Sequence, residues 1–503
     1  MTGLRVAIIG CGLGGACIVA NLAAHTAQQP GPPGELILVD RTRHWWHGRA
    51  YQPDGDYVLA NAHMAVMSLI HQDPEHAVRW AEDRGLHVRP SPDGVHVYLP
   101  RSVIGQYIDD AVAEALARLG AAGWRIRYLH ERATGLTTST DTVTIQTGSI
   151  HVPADRAVLC VGDSLRTDAY GLTGAPGYVE DPYPIAGLLP TLAADAAVGV
   201  LGSGLAAVDV VVGLQARGHR GEISLYSRGG ILPSVRRRLV THHYQWLTPQ
   251  TLEHLATAGQ ASLRNLVALA DAEVTGAGGD FPALAADFRH PGDPAERLRR
   301  QYAQRNTSDP GPQILQRAVF GVGQDYWNLL PDNDKAQVLD DLHTRIFSLC
   351  APMAQDNAAK IIKLLDTGQL RVRPGIQSVT AIETGFEVIT SNGPTHADVL
   401  VNTVTPRHRQ VPESAQEMTS SAVGRGSLAR HPFGGIVIDA PTGRAVDAAG
   451  TPHDHLFALG ELTSGAYYFV SHVPLFVKRA DGIATTIING RRGAALSPTG
   501  GKS

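Results

Sequence analysis

A short apolar strand, a glycine-rich turn and an apolar helix occur in that order twice in this chain, and the repeat limits the folds open to it. The first copy reads Leu4-Arg5-Val6-Ala7-Ile8-Ile9, then Gly10-Cys11-Gly12-Leu13-Gly14-Gly15, then a helical run to about His25. The second reads Val198-Gly199-Val200-Leu201, then Gly202-Ser203-Gly204-Leu205-Ala206-Ala207, then a helix to about Arg217. Both turns have G-x-G-x-x-G/A spacing, in which the first glycine permits a sharp turn, the second lets the backbone approach a pyrophosphate and the third lets helix and strand pack closely. The helix N-terminus then faces the phosphates with unpaired N–H groups. Gly10, Gly12, Gly14 and Gly15, with Gly202, Gly204 and Ala207, are the candidate dinucleotide-contacting residues.

The strand after each helix separates the two copies. Glu35-Leu36-Ile37-Leu38-Val39 ends on Asp40, whose carboxylate accepts ribose hydroxyl bonds and repels a 2′-phosphate, favouring FAD or NAD over NADP. Glu222-Ile223-Ser224-Leu225-Tyr226 ends instead on Ser227-Arg228, where a hydroxyl and a guanidinium suit a 2′-phosphate and favour NADPH; a solvated surface arginine is the alternative for Arg228. The copies then run alike: Trp124–Tyr128, Thr142–Ile145 and Arg156–Gly162 read as a small β meander returning to a buried strand, and Leu370–Arg373, Phe386–Ile389 and Asp398–Thr403 repeat the order. A duplicated nucleotide-binding unit predicts two dinucleotides, FAD and NADPH.

The predicted fold class is therefore α/β, with two Rossmann-like dinucleotide-binding domains and a mostly helical insertion. The expected division is residues 1–195 for the first part of the FAD domain, 196–235 for the first part of the NADPH unit, 236–365 for a helical insert or cap, 366–403 for the return strands, 404–496 for the C-terminal part of the FAD domain, and 497–503 for a disordered tail. Ala336–Ile346 and Asn357–Leu365 carry helical patterning within the insert. A length of 503 residues agrees with more than one core.

Composition narrows the function classes. A net charge of -4 leaves no global basic field of the kind that gathers nucleic acid or acidic membrane. Four scattered cysteines (Cys11, Cys17, Cys160, Cys350), with no CxxC pair, favour a reducing, cytoplasmic setting and argue against disulfide-reductase chemistry, which needs a redox thiol pair. The apolar stretch Val6–Leu22 is studded with glycines and Ala196–Leu214 is broken by Asp209, so neither a signal peptide nor a membrane span is expected. His242-His243 lacks partners at metal-ligand spacing, and no metal is expected.

Further motifs surround the first turn: Gly48-Arg49-Ala50-Tyr51, Leu59-Ala60-Asn61-Ala62, Met67-Ser68, Asp73-Pro74, Pro100-Arg101 and Gly105-Gln106-Tyr107. Near the end, Asp454–Leu459 reads as a strand closing on Gly460-Glu461. With both glycine turns, the chain resembles the FAD-NAD(P)-binding proteins of the YdhS-like type over most of its length, one departure being Asn402-Thr403-Val404-Thr405-Pro406 where the pattern usually has a Thr-Gly step. That group is similar to flavin monooxygenases that N-hydroxylate amines. The resemblance implies a soluble, FAD-dependent, NADPH-using monooxygenase that N-hydroxylates an amino group of a small amino-acid-like substrate with O₂, through a flavin C4a-hydroperoxide. Another NAD(P)H-dependent flavin oxidoreductase (a carbon or sulfur oxygenase, or a reductase) and a non-catalytic nucleotide-binding redox sensor would carry the same two turns.

Site candidates follow from this reading. Asn61 and Ser68 are placed to hydrogen-bond the flavin or the nicotinamide amide and Met64 and Met67 to line the ring face, with a capped helix and core methionines as the alternative. Asn61, Met67 and Ser68 are taken as catalytic. Arg49 meets the pyrophosphate or a surface carboxylate, and Arg101 and Gln106, at the start of a helix, are candidates to contact FAD, with a purely structural place as the equal alternative. Gly460 lets the backbone approach the ribityl chain and Glu461 accepts from a ribityl hydroxyl, although an acid after a strand is also a common helix cap. Arg236-Arg237-Arg238 suits a phosphate, an acidic substrate or a solvated face, and Tyr467, Tyr468 and His472 either reach the site or pack in the core.

Overall fold

The computed structural model describes residues 3–42, 45–89, 97–162, 167–238, 241–307, 309–405, 410–470 and 472–495. The tail 497–503 and Pro406 lie outside these. Strands run β1 (Arg5–Ile9), β2 (Glu35–Val39), β3 (Arg125–Leu129), β4 (Ala133–Thr138), β5 (Val143–Thr147), β6 (His151–Ala154), β7 (Arg156–Leu159) and β8 (Tyr178–Val179) in the first half. The second half holds β9 (Val198–Leu201), β10 (Ile223–Ser227), β11 (Leu370–Pro374), β12 (Ile376–Ile382), β13 (Gly385–Thr390), β14 (Gly393–Ala397) and β15 (Val399–Asn402). β16 (Ile438–Asp439), β17 (Arg444–Val446) and β18 (Pro452–Ala458) close the chain's strand list.

Two sheets carry the repeat. One has the order β16-β17-β18-β7-β1-β2-β3, the other β11-β10-β9-β15-β8. From β18 to β3 all neighbours in the first are parallel, as are all in the second. In both, the strand before the glycine turn lies between the strand that follows its helix and the strand that returns from an antiparallel meander. The fold is α/β with two Rossmann-type sheets. Such sheets, covered on both faces, require strands that read as continuous apolar runs, and Val6–Ile9, Leu36–Val39 and Val198–Leu201 are buried throughout.

Four expectations are corrected. Trp124–Tyr128 and Leu370–Arg373 do not belong to the meanders: as β3 and β11 they pair in parallel with β2 and β10 at the sheet edges. The meanders are β4-β5-β6 and β12-β13-β14. A short edge strand and a meander strand have the same alternating pattern, so periodicity cannot tell them apart. Tyr178–Val179, assigned to the first domain by position, pairs with β15 in the second sheet. Helix Gln355–Asp366, read as the end of the insert, buries Ala358, Ile361 and Leu364 in the core of the second sheet and packs on helix Leu205–Ala216.

Helix Leu13–Gln28 is buried between helix Arg101–Ala121 and the C-terminal helix Val473–Ala495. The insertion is built from short capped helices: Thr248, Ser262, Asp280 and Asp293 each accept a bond from a backbone N–H of the first turn they cap. Its core (Leu252, Tyr326, Trp327, Leu330, Val338, Cys350) is continuous with Phe433, Tyr468 and Phe469. Among the described residues, no helix is long and apolar enough to cross a membrane.

A buried ion pair joins the two sheets' helices. Arg101, the first residue of its helix, reaches Asp209 of helix Leu205–Ala216 at 2.7 Å, with side chains 11% and 3% exposed. Arg101 also donates to Tyr183 Oη (3.2 Å) and Leu59 O (3.1 Å), and Tyr183 Oη donates to Asp209 at 2.5 Å. Burial pulls the guanidinium's pKa down and Asp209 reverses this, so the charge is held above its ordinary value. Removing one partner strands the other charge in a dry interior. Asp209→Ala is therefore expected to lower stability by about 3–5 kcal/mol, whereas the double variant Arg101→Met with Asp209→Leu recovers much of the loss. Denaturant titration of the three proteins checks this.

Candidate functional site

The parallel strands of the first sheet end in register, Ile9 opposite Val39 and Leu159, and Leu159 opposite Ala458. Ligands of open α/β sheets bind outside such carboxyl ends, where the strand order reverses. Gly10 turns the chain there with φ of 91°, its N–H donating to Val39 O at 2.9 Å. A Cβ at Gly10 would stand 2.8 Å from the backbone of Cys160, so only glycine lets the turn lie against the return strand. Gly15 has the packing role: its Cβ would meet Gly10 O at 2.8 Å. Gly12 faces the other way, its Cβ position meeting nothing closer than the Gly48 Cα at 3.5 Å. The first N–H groups of helix Leu13–Gln28 have no partner within the helix and lie at this open face.

Asp40 accepts from Cys11 N (2.7 Å) and from Thr42 N and Oγ1 (2.8 and 3.0 Å). It thus braces the turn while its oxygens retain capacity for a ribose hydroxyl. The chain then folds back over the turn. Trp46 takes φ of 76°, rare for a bulky residue, with its N–H on Cys11 O at 2.6 Å.

The end of the chain completes this edge. Leu459 N donates to Leu159 O at 2.9 Å, and the Phe476 ring lies 3.2–3.3 Å from the Cβ positions of both Gly14 and Gly460. A Cβ at Gly162 would meet the Cβ of Glu461 at 2.6 Å. Residues some 450 positions apart in sequence thus share one rim: the Gly10–Gly15 turn, Asp40, Gly162, Gly460 and exposed Glu461. A glycine cradle, a helix N-terminus and a braced acid fit a flavin dinucleotide.

The second edge repeats the design. Gly202 has φ of 111°, donates to Tyr226 O at 2.7 Å, and its Cβ would stand 2.4 Å from Thr403 Oγ1. Gly204 has nothing within 4 Å of its Cβ position, and Ala207 is fully buried against the core. Ser227 takes the bracing role of Asp40, bonded to Ser203 Oγ (3.0 Å) and Gly230 N (3.0 Å). Arg228 is exposed and has no ion pair among the described residues. Asn402, at the departure from the usual Thr-Gly step, is 1% exposed and donates to Thr167 O at 3.2 Å, tying the return strand to the linker.

Several expected contacts fall elsewhere. Ser68 Oγ donates to Asp73 O (2.6 Å) and Ile70 O and accepts from Ile70 N, closing a turn on itself, and Met67, like Met64, is buried in the core beneath helix Leu13–Gln28. Neither Ser68 nor Met67 is offered to a ligand. Arg101 is spent on Asp209 and Tyr183. Arg49 pairs with Asp181 at 2.5 Å and lies over the Tyr183 ring, so its charge is neutralised at the junction between the units. Gln106 is exposed, and the helix approaches the Arg49 loop through Gly105, whose Cβ would meet Tyr51 O. His242 pairs with the fully buried Glu273, a structural role. Among the described residues, no three His, Cys, Asp or Glu side chains are grouped to hold a metal.

The arginine run splits three ways: Arg238 is exposed, Arg237 faces Asp309 at 3.6 Å, and Arg236 turns inward between the units. Arg236 donates to Asn61 O at 2.5 Å and lies over the Tyr98 ring, with no carboxylate partner among the described residues. Asn61 is thus the candidate that the fold leaves at this junction. His472 stacks on Phe320 (4.2 Å between centroids), its buried Nδ1 unbonded. The lone acid Asp209 within the apolar run Leu205–Leu214 was the available signal for the buried clamp; Phe476 and Trp46 had none.

Residues 7–164 match the model of a family described as FAD-NAD(P)-binding. This region is an FAD-NAD(P)-binding domain. Its fold partners extend over the whole chain. The L-lysine 6-monooxygenase from Pseudomonas syringae is 15% identical, with 96% of this chain and 99% of that one covered at a TM-score of 0.58. The FAD-bound cadaverine monooxygenase of the desferrioxamine pathway from Erwinia amylovora is 14% identical (97% and 95% covered, TM-score 0.57). The ornithine N-hydroxylase of Kutzneria sp. 744, with reduced FAD, NADP⁺ and L-ornithine, is 13% identical (98% and 100% covered, TM-score 0.52). No curated protein matches the sequence.

Two measurements check the FAD-NAD(P)-binding domain and its surroundings. Gly12→Ala and Gly204→Ala meet no steric obstacle in the protein, so both variants keep the parent's thermal midpoint within a few degrees. Gly12→Ala loses at least tenfold in FAD affinity, and Gly204→Ala keeps its FAD but weakens nicotinamide-nucleotide binding at least tenfold, as read by flavin fluorescence and nucleotide titration. Burial, with Arg479 and Arg236 nearby, pushes His472 down to about 4. The unfolded chain, with an ordinary histidine near 6.5, binds the proton first as pH falls. The His472 contribution to stability is therefore full above pH ~6.5 and lost between pH ~6.5 and 4. His472→Gln should flatten that part of the stability profile.

Proposed function

We propose that the protein is an FAD-dependent monooxygenase that takes electrons from NADPH and N-hydroxylates the amino group of an amino-acid-like substrate, with O₂ as co-substrate. The observation that carries this reading is the pair of glycine cradles at the carboxyl edges of two sheets that share the order β7-β1-β2-β3 and β15-β9-β10-β11, one finished by Gly460-Glu461 from the far end of the chain. Bound flavin would supply the oxygen-activating chemistry and the nicotinamide its electrons. The thiols argue against disulfide chemistry: burial pushes Cys11, Cys17, Cys160 and Cys350 all up, so none is poised as the thiolate that it needs.

The chain's own residues then have these roles. Asp40 accepts from the ribose of FAD, the N-terminus of helix Leu13–Gln28 faces the pyrophosphate, and Gly460 and Glu461 meet the ribityl chain. Ser227 and Arg228 hold the 2′-phosphate of NADPH. Asn61 orients flavin or nicotinamide at the junction. Arg236, inward-facing and without a carboxylate partner among the described residues, disfavours a second positive charge beside it and so keeps a neighbouring amine neutral and nucleophilic. His472 stays neutral above pH ~4 and offers Nδ1 as a hydrogen-bond acceptor there.

The test is NADPH consumption by the FAD-loaded protein in air against a panel of amino acids, diamines and alkylamines, with hydroxylamine products read by mass. An oxygenated amine formed in step with NADPH use is expected. Arg228→Ala should raise KM for NADPH at least tenfold and leave NADH unchanged. NADPH oxidation without an oxygenated amine from any member of the panel, or anaerobic turnover with an organic acceptor, would overturn the reading in favour of a reductase.

A further inference from the structure

The helical insertion surrounds a cavity of about 810 Å³ that is partly open to solvent. Helix Phe281–Arg289 contributes Phe281, Leu284 and Phe288, one apolar face at i, i+3 and i+7, yet no residue of this helix is buried. An amphipathic helix normally packs such a stripe against another element. Here the stripe faces the cavity, as do Leu263, Leu266 and Ala270 of helix Leu263–Gly276 across from it. Side chains that line a void forgo dispersion contacts on that side. The helices are arranged around a space that a ligand of matching character would fill.

Most charges on the wall are paired, Arg289 being without an ion pair among the described residues. Asp287 holds Arg297 (3.0 Å) and Arg300, and Asp309 faces Arg237. Asp280 caps its own helix at Ala283 N. Among the described residues, Asp280 is the one lining carboxylate without an ion pair, and one of its oxygens is taken by the helix cap. Tyr468 and Trp327 also line the cavity. Their polar atoms are bonded to His343 Nδ1 (2.9 Å) and Gly465 O (2.9 Å), and the two rings pack against each other with centroids 5.0 Å apart. Tyr468 stands eight residues beyond Gly460 on the buried segment that continues from the flavin-side rim, and Val235 and Arg237, on either side of the inward-facing Arg236, also line the cavity.

We infer that the substrate of the reaction proposed above, on which this inference rests, carries an apolar body of about ten carbons or more that fills this cavity, behind the amino-bearing head that is oxidised. A short polar amino acid would leave most of the space unfilled and every apolar face uncovered.

The experiment uses the FAD-loaded full chain and the series n-butylamine, n-hexylamine, n-octylamine and n-decylamine, with L-lysine as the short polar comparison. Binding is read from the thermal midpoint as a function of concentration, and turnover from NADPH-dependent hydroxylamine formation. Affinity is expected to rise about fourfold per added methylene, with L-lysine the weakest. Ala270→Trp, which places a bulky ring in the cavity, should cost at least tenfold in n-decylamine binding while NADPH reduces the flavin, without amine, within twofold of the parent rate. Leu284→Gln serves the same purpose should the tryptophan variant fail to fold. A flat series, or L-lysine binding tighter than n-decylamine, overturns the inference even where L-lysine is hydroxylated and the proposed reaction stands. Length-dependent binding without oxygenation of any amine upholds the cavity's ligand class and overturns the reaction.

Discussion

Both nucleotide units depend on one steric constraint: a glycine in the left-handed region whose N–H bonds to the end of the next strand while its missing side chain lets the return strand pass. At Gly10 the space is taken by the Cys160 backbone, and at Gly202 by the Thr403 hydroxyl. If either turn relaxed, the helix N-terminus would no longer point its unpaired N–H groups outward from the carboxyl edge, and the bracing residues Asp40 and Ser227 would lose their bonds to Cys11 and Ser203. The turns therefore set the direction of each cradle, and the parallel registers carry that direction to every neighbouring strand end.

The two units are then joined by polar contacts of unusual burial. Asp209 sits in a helix that is otherwise apolar and finds its partners, Arg101 and Tyr183, on another helix and on the linker. Arg49 with Asp181 adds a second ion pair beside it. Paired interior charges contribute little net stability compared with well-packed apolar groups, but they penalise every arrangement in which they are unpaired. That makes the clamp a device for fixing how the two cradles face each other. The insertion has a different character. Its helices are capped locally, but part of their apolar surface is turned toward a partly open cavity, where the cores of the nucleotide units are filled.

Much of this was legible along the chain because the information is local. The G-x-G-x-x-G/A spacing, the buried-type strands beside it and the Asp40 against Ser227-Arg228 contrast all lie within some thirty residues of each turn. The helices at Leu13–Gln28 and Leu205–Ala216 follow from the apolar runs behind the two turns. The site candidates on the Arg49–Ser68 loop fared differently. A serine hydroxyl that closes a turn on Asp73 O and one that binds a ligand have the same neighbours in sequence, and a methionine is apolar whether it lines a ring or a core. Gly14, Gly460 and Phe476 show the converse: a shared contact that no periodicity encodes.

What the sequence by itself determined is the pair of dinucleotide turns, the class of sheet around them and the chemical difference between their acceptor ends, since each rests on backbone freedom and side-chain charge within one strand-turn-helix unit. Only the tertiary structure decided that β18 brings Gly460-Glu461 to the first turn, that β8 crosses to the second sheet, that Arg101 and Arg49 serve the junction between the units, and that the insertion surrounds a cavity. These depend on which surfaces are buried against which, a matter of summed packing over distant segments, and a charged or apolar residue carries no mark in sequence of the partner it will meet.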